Sequence, residues 1–141
     1  MTSAYLITTE VPSVEDYCRM RIATGLSAKT KEAAERGLAN SLFAVQILAG
    51  ERMIGMGRVI GDGGCFYQVV DIAVAPEHQG KGLGKMIMRE IMQYLNEHAL
   101  PSAYVSLIAD GKAQELYAQF GFQHTAPRSV GMAYRVSIPS T

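Results

Sequence analysis

The residues best suited to chemistry lie in one run, Val74-Ala75-Pro76-Glu77-His78-Gln79-Gly80-Lys81-Gly82-Leu83-Gly84-Lys85. Three glycines alternate with Lys81 and Leu83. Glycine lets backbone approach a ligand closely and takes dihedrals barred to other residues. An apolar, strand-like stretch, Phe66 to Val74, enters the run, and a helical pattern, Met86 to His98, leaves it. The first N–H groups of a helix have no internal partners, and with the helix dipole behind them they attract anions. Lys81 and Lys85 add positive charge. Gln79, Gly80, Lys81, Gly82, Leu83, Gly84 and Lys85 therefore read as a cradle for a pyrophosphate.

Spacing narrows the choice of cradle. A P-loop needs four residues between its glycines and then Gly-Lys-Ser/Thr. Gly80 and Gly84 have three between them, and Met86 follows Lys85, so no hydroxyl is offered to magnesium. The dinucleotide fingerprint G-x-G-x-x-G belongs early in a βαβ unit. Here the pattern is G-x-G-x-G, preceded by more than half the chain. Gln79-Gly80-Lys81-Gly82-Leu83-Gly84 does resemble the Q/R-x-x-G-x-G/A signature of the GNAT acetyltransferase superfamily. Val74-Ala75-Pro76-Glu77 resembles that family's lead-in.

A second patch, Ala113 to Phe122, resembles the family pattern A-x-x-L/F-Y-x-x-x-G-F. The resemblance implies that the loop amides hold the pyrophosphate of acetyl-coenzyme A. It implies that pantetheine lies along Ile72, Ala73 and Val74, in a gap between that strand and Ala103 to Ile108. It also implies that Ala113 and Tyr117 stand near the cofactor, with Tyr117 protonating the leaving thiolate. A phenol of pKa ~10 can protonate a thiolate whose conjugate acid lies near ~8.5 if local interactions poise it. The alternative reading of Tyr117 is a core aromatic beside Leu116 and Phe120. Asp110 occupies a place where the family often has Asn. It can cap the following helix, but it cannot donate to pantetheine as an amide would.

An alkylamine is mostly protonated at neutral pH, so acyl transfer to it needs a proton acceptor. Asp71 is the carboxylate on the strand that would flank the acetyl group. Burying a carboxylate is costly unless it is paired, so Asp71 is either a base, direct or through water, or a structural group. Substrate selection is expected from the first two helices, their loop and the C-terminal hairpin, as in relatives. Met20, Phe43, Arg58, Tyr67 and Tyr134 are the candidate lining residues. Gly57 to Gly63 resembles a subgroup of small acetyltransferases with poorly defined substrates. Arg58 could bind an acidic substrate group, or be a solvated strand residue paired with Asp62. His78 reads as solvent-exposed.

These groups need elements to position them. Ala4 to Thr8 reads as a strand, followed by a helix capped by Ser13 with Val14, Tyr17, Met20 and Ile22 on its apolar side, ending at Gly25. Thr30 caps a second helix, Lys31 to Asn40. Leu42 to Leu48, Met53 to Ile60 and Phe66 to Val74 read as an antiparallel meander turning at Gly50-Glu51 and Gly61 to Gly64. After the long helix come a strand (Ala103 to Ile108) and a short helix (Lys112 to Gln119) closed by Gly121. Phe122 to Thr125 and Val130 to Val136 then read as a final antiparallel pair. The order βααβββαβαββ defines a mixed α/β domain, with a mostly antiparallel sheet flanked by helices, over residues 1–141. It agrees with the GNAT fold along nearly the whole chain.

Bulk properties exclude other classes. A chain of 141 residues, 48% apolar, can bury a core. Lys+Arg and Asp+Glu are equal at 13 each, so no global field favours nucleic acid. No apolar run nears the ~20 residues needed to span a membrane. Met1 to Tyr5 lacks the pattern of a secretory leader. Cys18 and Cys65 read as free thiols of a cytoplasmic protein, and His78, His98 and His124 show no ligand spacing, so no metal is expected. The expected activity is direct transfer of acetyl from acetyl-coenzyme A to a small-molecule primary amine, with homodimerisation left open. The alternatives are acetylation of a protein or peptide amino group, and a non-catalytic acyl-coenzyme A-binding module.

Overall fold

A computed structural model describes residues 4–139, so Met1 to Ser3, which bear on the leader reading, lie outside the described residues. The chain forms two compact units, one ending at Leu107 and the other beginning at Ile108.

In the first unit, β1 (Tyr5–Thr8) is followed by α1 (Val14–Ala23), α2 (Lys31–Ala39), β2 (Phe43–Ala49), β3 (Arg52–Gly61) and β4 (Phe66–Val74). A short 3₁₀ turn at Pro76–His78 leads to α3 (Leu83–His98), and β5 (Tyr104–Ser106) closes the unit. Both expected caps form. Ser13 Oγ accepts from the Asp16 amide and Thr30 Oγ1 from the Ala33 amide, each satisfying an orphan donor of its helix. On α1 the buried side chains are Tyr17, Met20 and Arg21, and Ile22 is exposed. The sequence reading put Ile22 inward. The i, i+3, i+4 stripe runs through Arg21 instead because Arg21 finds buried hydrogen-bond partners.

The sheet runs β1-β2-β3-β4-β5, antiparallel except for the parallel β4–β5 pair. Helix α3 buries Leu83, Ile87, Met88, Ile91 and Leu95, each contributing roughly 1.5–3 kcal/mol. It packs closest over the glycines of β3. A Cβ added at Gly57 would lie 2.7 Å from side-chain atoms of both Ile72 and Ile87. Strand alternation then puts Met56 and Arg58 on the opposite face, towards α1 and α2.

Two irregularities in β4 shape the site. Arg58 pairs with Val70 but Met56 pairs with Ala73, so Asp71 and Ile72 together face Gly57. This is a β-bulge, which re-aims side chains and interrupts the ladder. Asp71 sits in the left-handed region, φ 61°, where an ordinary L-residue costs roughly 1–2 kcal/mol and Asp is better tolerated. The second irregularity is that β4 pairs with β5 only from Phe66↔Tyr104 to Gln68↔Ser106. Beyond Gln68, β4 has a strand partner on the β3 side alone.

The second unit holds one helix, α4 (Ala113–Ala118), and the chain reverses at Gly121, φ 89°. The expected final pair, Phe122 to Thr125 with Val130 to Val136, does not form, and both segments are irregular. Val130, Met132, Tyr134 and Val136 alternate as a strand would, yet all are exposed. Alternation marks an apolar face but supplies no partner for it. In this unit Tyr117 is the only buried apolar side chain among the described residues, too little cover for an isolated hairpin.

Candidate active site

The loop before α3 has the backbone conformation that its glycines allow. Gly80 and Gly82 have φ 79° and 78°, and Gly82 is the N-terminal cap of α3. A Cβ added at either glycine would meet nothing within 4 Å, so the conformation, not crowding, selects glycine. The amides of Gly80, Lys81, Gly82, Leu83, Gly84 and Lys85 have no acceptor among the described residues. The helix reaches back to Leu83, so Leu83, Gly84 and Lys85 form its first turn and present their N–H groups outward. Gln79 turns back, its Nε2 donating to the Val74 carbonyl at 3.0 Å, and so closes the loop onto β4. Lys81 Nζ lies 3.3 Å from Tyr5 Oη and 5.9 Å from its ring centre. His78 is half-buried, not solvent-exposed as read from sequence, because its Nδ1 is 2.7 Å from Tyr5 Oη.

Ile72 belongs to the bulge and Ala73 and Val74 follow it, on the part of β4 that does not pair with β5.

Asp71 is the centre of a buried ion cluster. Its Oδ1 accepts from Arg21 Nη1 at 2.5 Å, and its Oδ2 accepts from Arg58 Nε at 2.9 Å and from Tyr17 Oη at 2.8 Å. The three ionic side chains are each about nine-tenths covered. Both guanidinium groups lie near the Tyr17 ring, at 5.8 and 5.5 Å from its centre. Burial first, and then the Asp71 charge, pushes the Tyr17 phenol above 10.0, so it stays a donor. Both carboxylate oxygens are engaged, and Asp71 ties α1 and β3 to the bulge. The pairing of Arg58 with Asp62 is corrected. Asp62 is exposed and accepts from the Gly64, Cys65 and Phe66 amides, which pull its pKa below 3.8.

The other lining candidates divide. Met20 is fully buried and Tyr67 nearly so, which leaves Met20 no surface for a substrate. Phe43 stacks on Tyr94 with ring centres 4.7 Å apart. Tyr134 is exposed in the second unit. Sequence reasoning missed Arg21 as a site residue. The signal was available, since Arg21 stands four residues after Tyr17 on the covered face of α1.

Within the second unit, Tyr117 is buried on α4 and meets Phe122 edge-on, ring centres 6.5 Å apart. Burial first, and then Asp110, raises its phenol above 10.0. Asp110 does not cap α4 with its side chain as expected. Its backbone carbonyl accepts from Ala113 instead, and Lys112 takes the cap position. Among the described residues no group of three or more His, Cys, Asp and Glu could hold a metal, and no helix is long and apolar enough to cross a membrane.

The sheet is bulged and splayed, and its fourth strand feeds an amide-lined helix start. The family model described as "Acetyltransferase (GNAT) domain" matches residues 39–124, more than half of the chain, and the protein belongs to that family. A solved Staphylococcus aureus structure, described as a "Protein of Unknown Function" and "Probable Acetyltransferase", is 51% identical. It has a TM-score of 0.90, over 94% of this chain and 99% of that one. A GNAT family protein from Streptococcus pneumoniae is 26% identical, TM-score 0.75, over 94% and 98% of the two chains. Among curated proteins, "GCN5-related N-acetyltransferase 2, chloroplastic" from Arabidopsis thaliana is 32% identical over 52% of this chain. "Histone acetyltransferase TAP1" from Glycine max is also 32% identical over 52% of it. The matches span only 28% and 31% of those two longer proteins.

Proposed function

We propose that this chain transfers acetyl from acetyl-coenzyme A directly to a primary amine of a small molecule, with residues 1–141 acting as one domain. The observation that carries the reading is the run of amides from Gly80 to Lys85 without acceptors, at the start of α3 and beside the open side of β4. These amides suit a pyrophosphate, since hydrogen bonds to an ionised acceptor are the strong ones. The backbone of Ile72, Ala73 and Val74 would line the pantetheine arm. Acetyl-coenzyme A, when bound, supplies the acetyl group as an activated thioester. Tyr117 Oη would hold the proton for the departing sulfur, since a phenol is protonated at neutral pH. Asp71 would fix the bulge, and the amine's proton would leave to water. That the family model spans the boundary at Leu107 supports a single functional domain. Free Cys18 and Cys65 suit a reducing, cytoplasmic setting.

The test is release of free thiol from acetyl-coenzyme A with a panel of amines. Amine-dependent release supports the reading. If coenzyme A binds by calorimetry but no amine provokes thiol release, the chain is instead a non-catalytic acyl-coenzyme A-binding module. The name of the soybean relative favours a second reading, acetylation of a protein amino group. A lysine-containing peptide in the panel tests it, with preference for the peptide as the deciding result.

A further inference from the structure

We infer that Arg58 selects acceptors that carry a carboxylate. The inference rests on the transfer reading above and names the substrate class for that site.

The argument begins with an imbalance of charge. Two guanidinium cations, Arg21 and Arg58, face the single carboxylate of Asp71. One positive charge is left over in a place where both side chains are largely removed from water. An uncompensated charge there is costly, and a partner anion gains accordingly.

The hydrogen bonds locate the open position. Each nitrogen of Arg21 has an acceptor: Nε donates to the Ser27 carbonyl, Nη1 to Asp71 and Nη2 to Ser27 Oγ. In Arg58 only two of the three nitrogens do. Its Nε donates to Asp71, and its Nη1 to the Gly37 carbonyl at 3.2 Å and to Ser41 Oγ at 2.9 Å. Its Nη2 has no acceptor among the described residues. No fully covered polar side-chain atom lacks a partner among them, so Nη2 must be reached by solvent. Arg58 thus offers one open corner, with its stem covered and the guanidinium held on its other two nitrogens. A rigid donor that is already ordered loses little freedom when it binds.

Charge and place fix the ligand class. The leftover charge is one, which matches a carboxylate. A phosphate monoester carries nearly two negative charges at pH 7 and would leave the cluster unbalanced in the other direction. A carboxamide offers an oxygen but no charge. Arg58 stands on the face roofed by α1 and α2, paired with Val70 immediately before the bulge. It is one strand away from the side of β4 that β5 leaves open.

The experiment uses the full chain and matched acceptors. Short ω-amino carboxylates are each compared with their own carboxamide and with an ω-amino alkyl phosphate. A buried charge-assisted hydrogen bond predicts a kcat/KM preference for the carboxylate of about tenfold to a hundredfold over the amide. Arg58→Gln should bring that ratio to near unity, Arg58→Lys should restore part of it, and Arg36→Gln, on the exposed side of α2, should leave it unmoved. A ratio near unity in the native protein, or a preference for the phosphate, overturns the inference. Because Arg58→Gln could fail to fold, the native protein is also titrated with N-acetylglycine and N-acetylglycinamide while the arginine Nε–H resonances are followed by NMR. The carboxylate should shift the Arg58 signal and the amide should not; no shift with either, or equal shifts with both, overturns the inference. If no amine releases thiol, the transfer reading has failed, and the titration judges Arg58 by itself.

Discussion

Replacing Asp71 with Asn separates a base from a structural anchor. Asn tolerates the left-handed backbone at this position, so the bulge is not strained by the change. The volume is nearly unchanged, so no cavity opens. What is lost is the one negative charge between two covered guanidinium groups. Breaking a buried ion pair costs about 3–5 kcal/mol. The low end applies here, because the amide oxygen can still accept from one arginine. At roughly 2–4 °C per kcal/mol, the melting temperature should fall by about 6–12 °C. Activity below the new transition should persist, and the acid limb of kcat/KM should keep its midpoint. Thermal melts followed by circular dichroism, with thiol-release kinetics across pH, measure both. An Asp71→Asn protein that melts like the parent but loses its acid limb would refute the anchoring argument and return Asp71 to the chemistry.

Three further outcomes follow from the geometry. Gly82→Val puts a β-branched residue at φ 78°, which should shift the backbone that carries the loop amides, so coenzyme A affinity by calorimetry should fall at least ~10-fold. Tyr117→Phe should lower kcat about 100-fold while coenzyme A binding holds, since only the proton donor is removed; full kcat in a chemistry-limited assay would make Tyr117 a packing residue. For Asp62, the Phe66 amide foremost, with those of Gly64 and Cys65, holds the folded pKa below the ordinary 3.8. Its stabilisation is therefore present above 3.8 and is lost as pH falls through the lower folded value. Asp62→Ala should destabilise at neutral pH, and its melting temperature should converge on the parent's in strong acid.

What the sequence showed and what it hid divide along physical lines. The cradle was legible because its requirement is local: positive φ at Gly80 and Gly82 and a helix beginning at once need no distant partner. β4 was legible in full because a long apolar run bounded by glycines and proline has few other readings. The ion cluster was not legible. Arg21 and Arg58 are buried only because Asp71, 50 and 13 residues further along the chain, meets them, and nothing in the neighbourhood of an arginine reports such a partner. Solvated pairing with a nearby acid was the cheaper reading of Arg58, and it failed for that reason. The last strand pair misled in the opposite way. Alternation at Val130, Met132, Tyr134 and Val136 describes what a strand would look like, while pairing is decided by a neighbour.

The bulge at Asp71 also works as a phase shifter along β4. Before it, odd-numbered residues such as Val69, paired with Val59, share the face of Gly57 and α3; after it, Ala73 pairs with Met56 on the other face. The strand therefore changes parity once, just before it delivers the chain to the cradle. Deleting a single residue between Val70 and Val74 would erase that change. The ladder would then close in register, Val70 opposite Arg58 and Val74 opposite Gly55, so the loop after β4 would stay in place, and what would be lost is the bulge that presents Asp71 to Arg21 and Arg58. The extra residue of β4 thus serves the ion cluster, while the strand's reach to the amides is set by its pairing with β3.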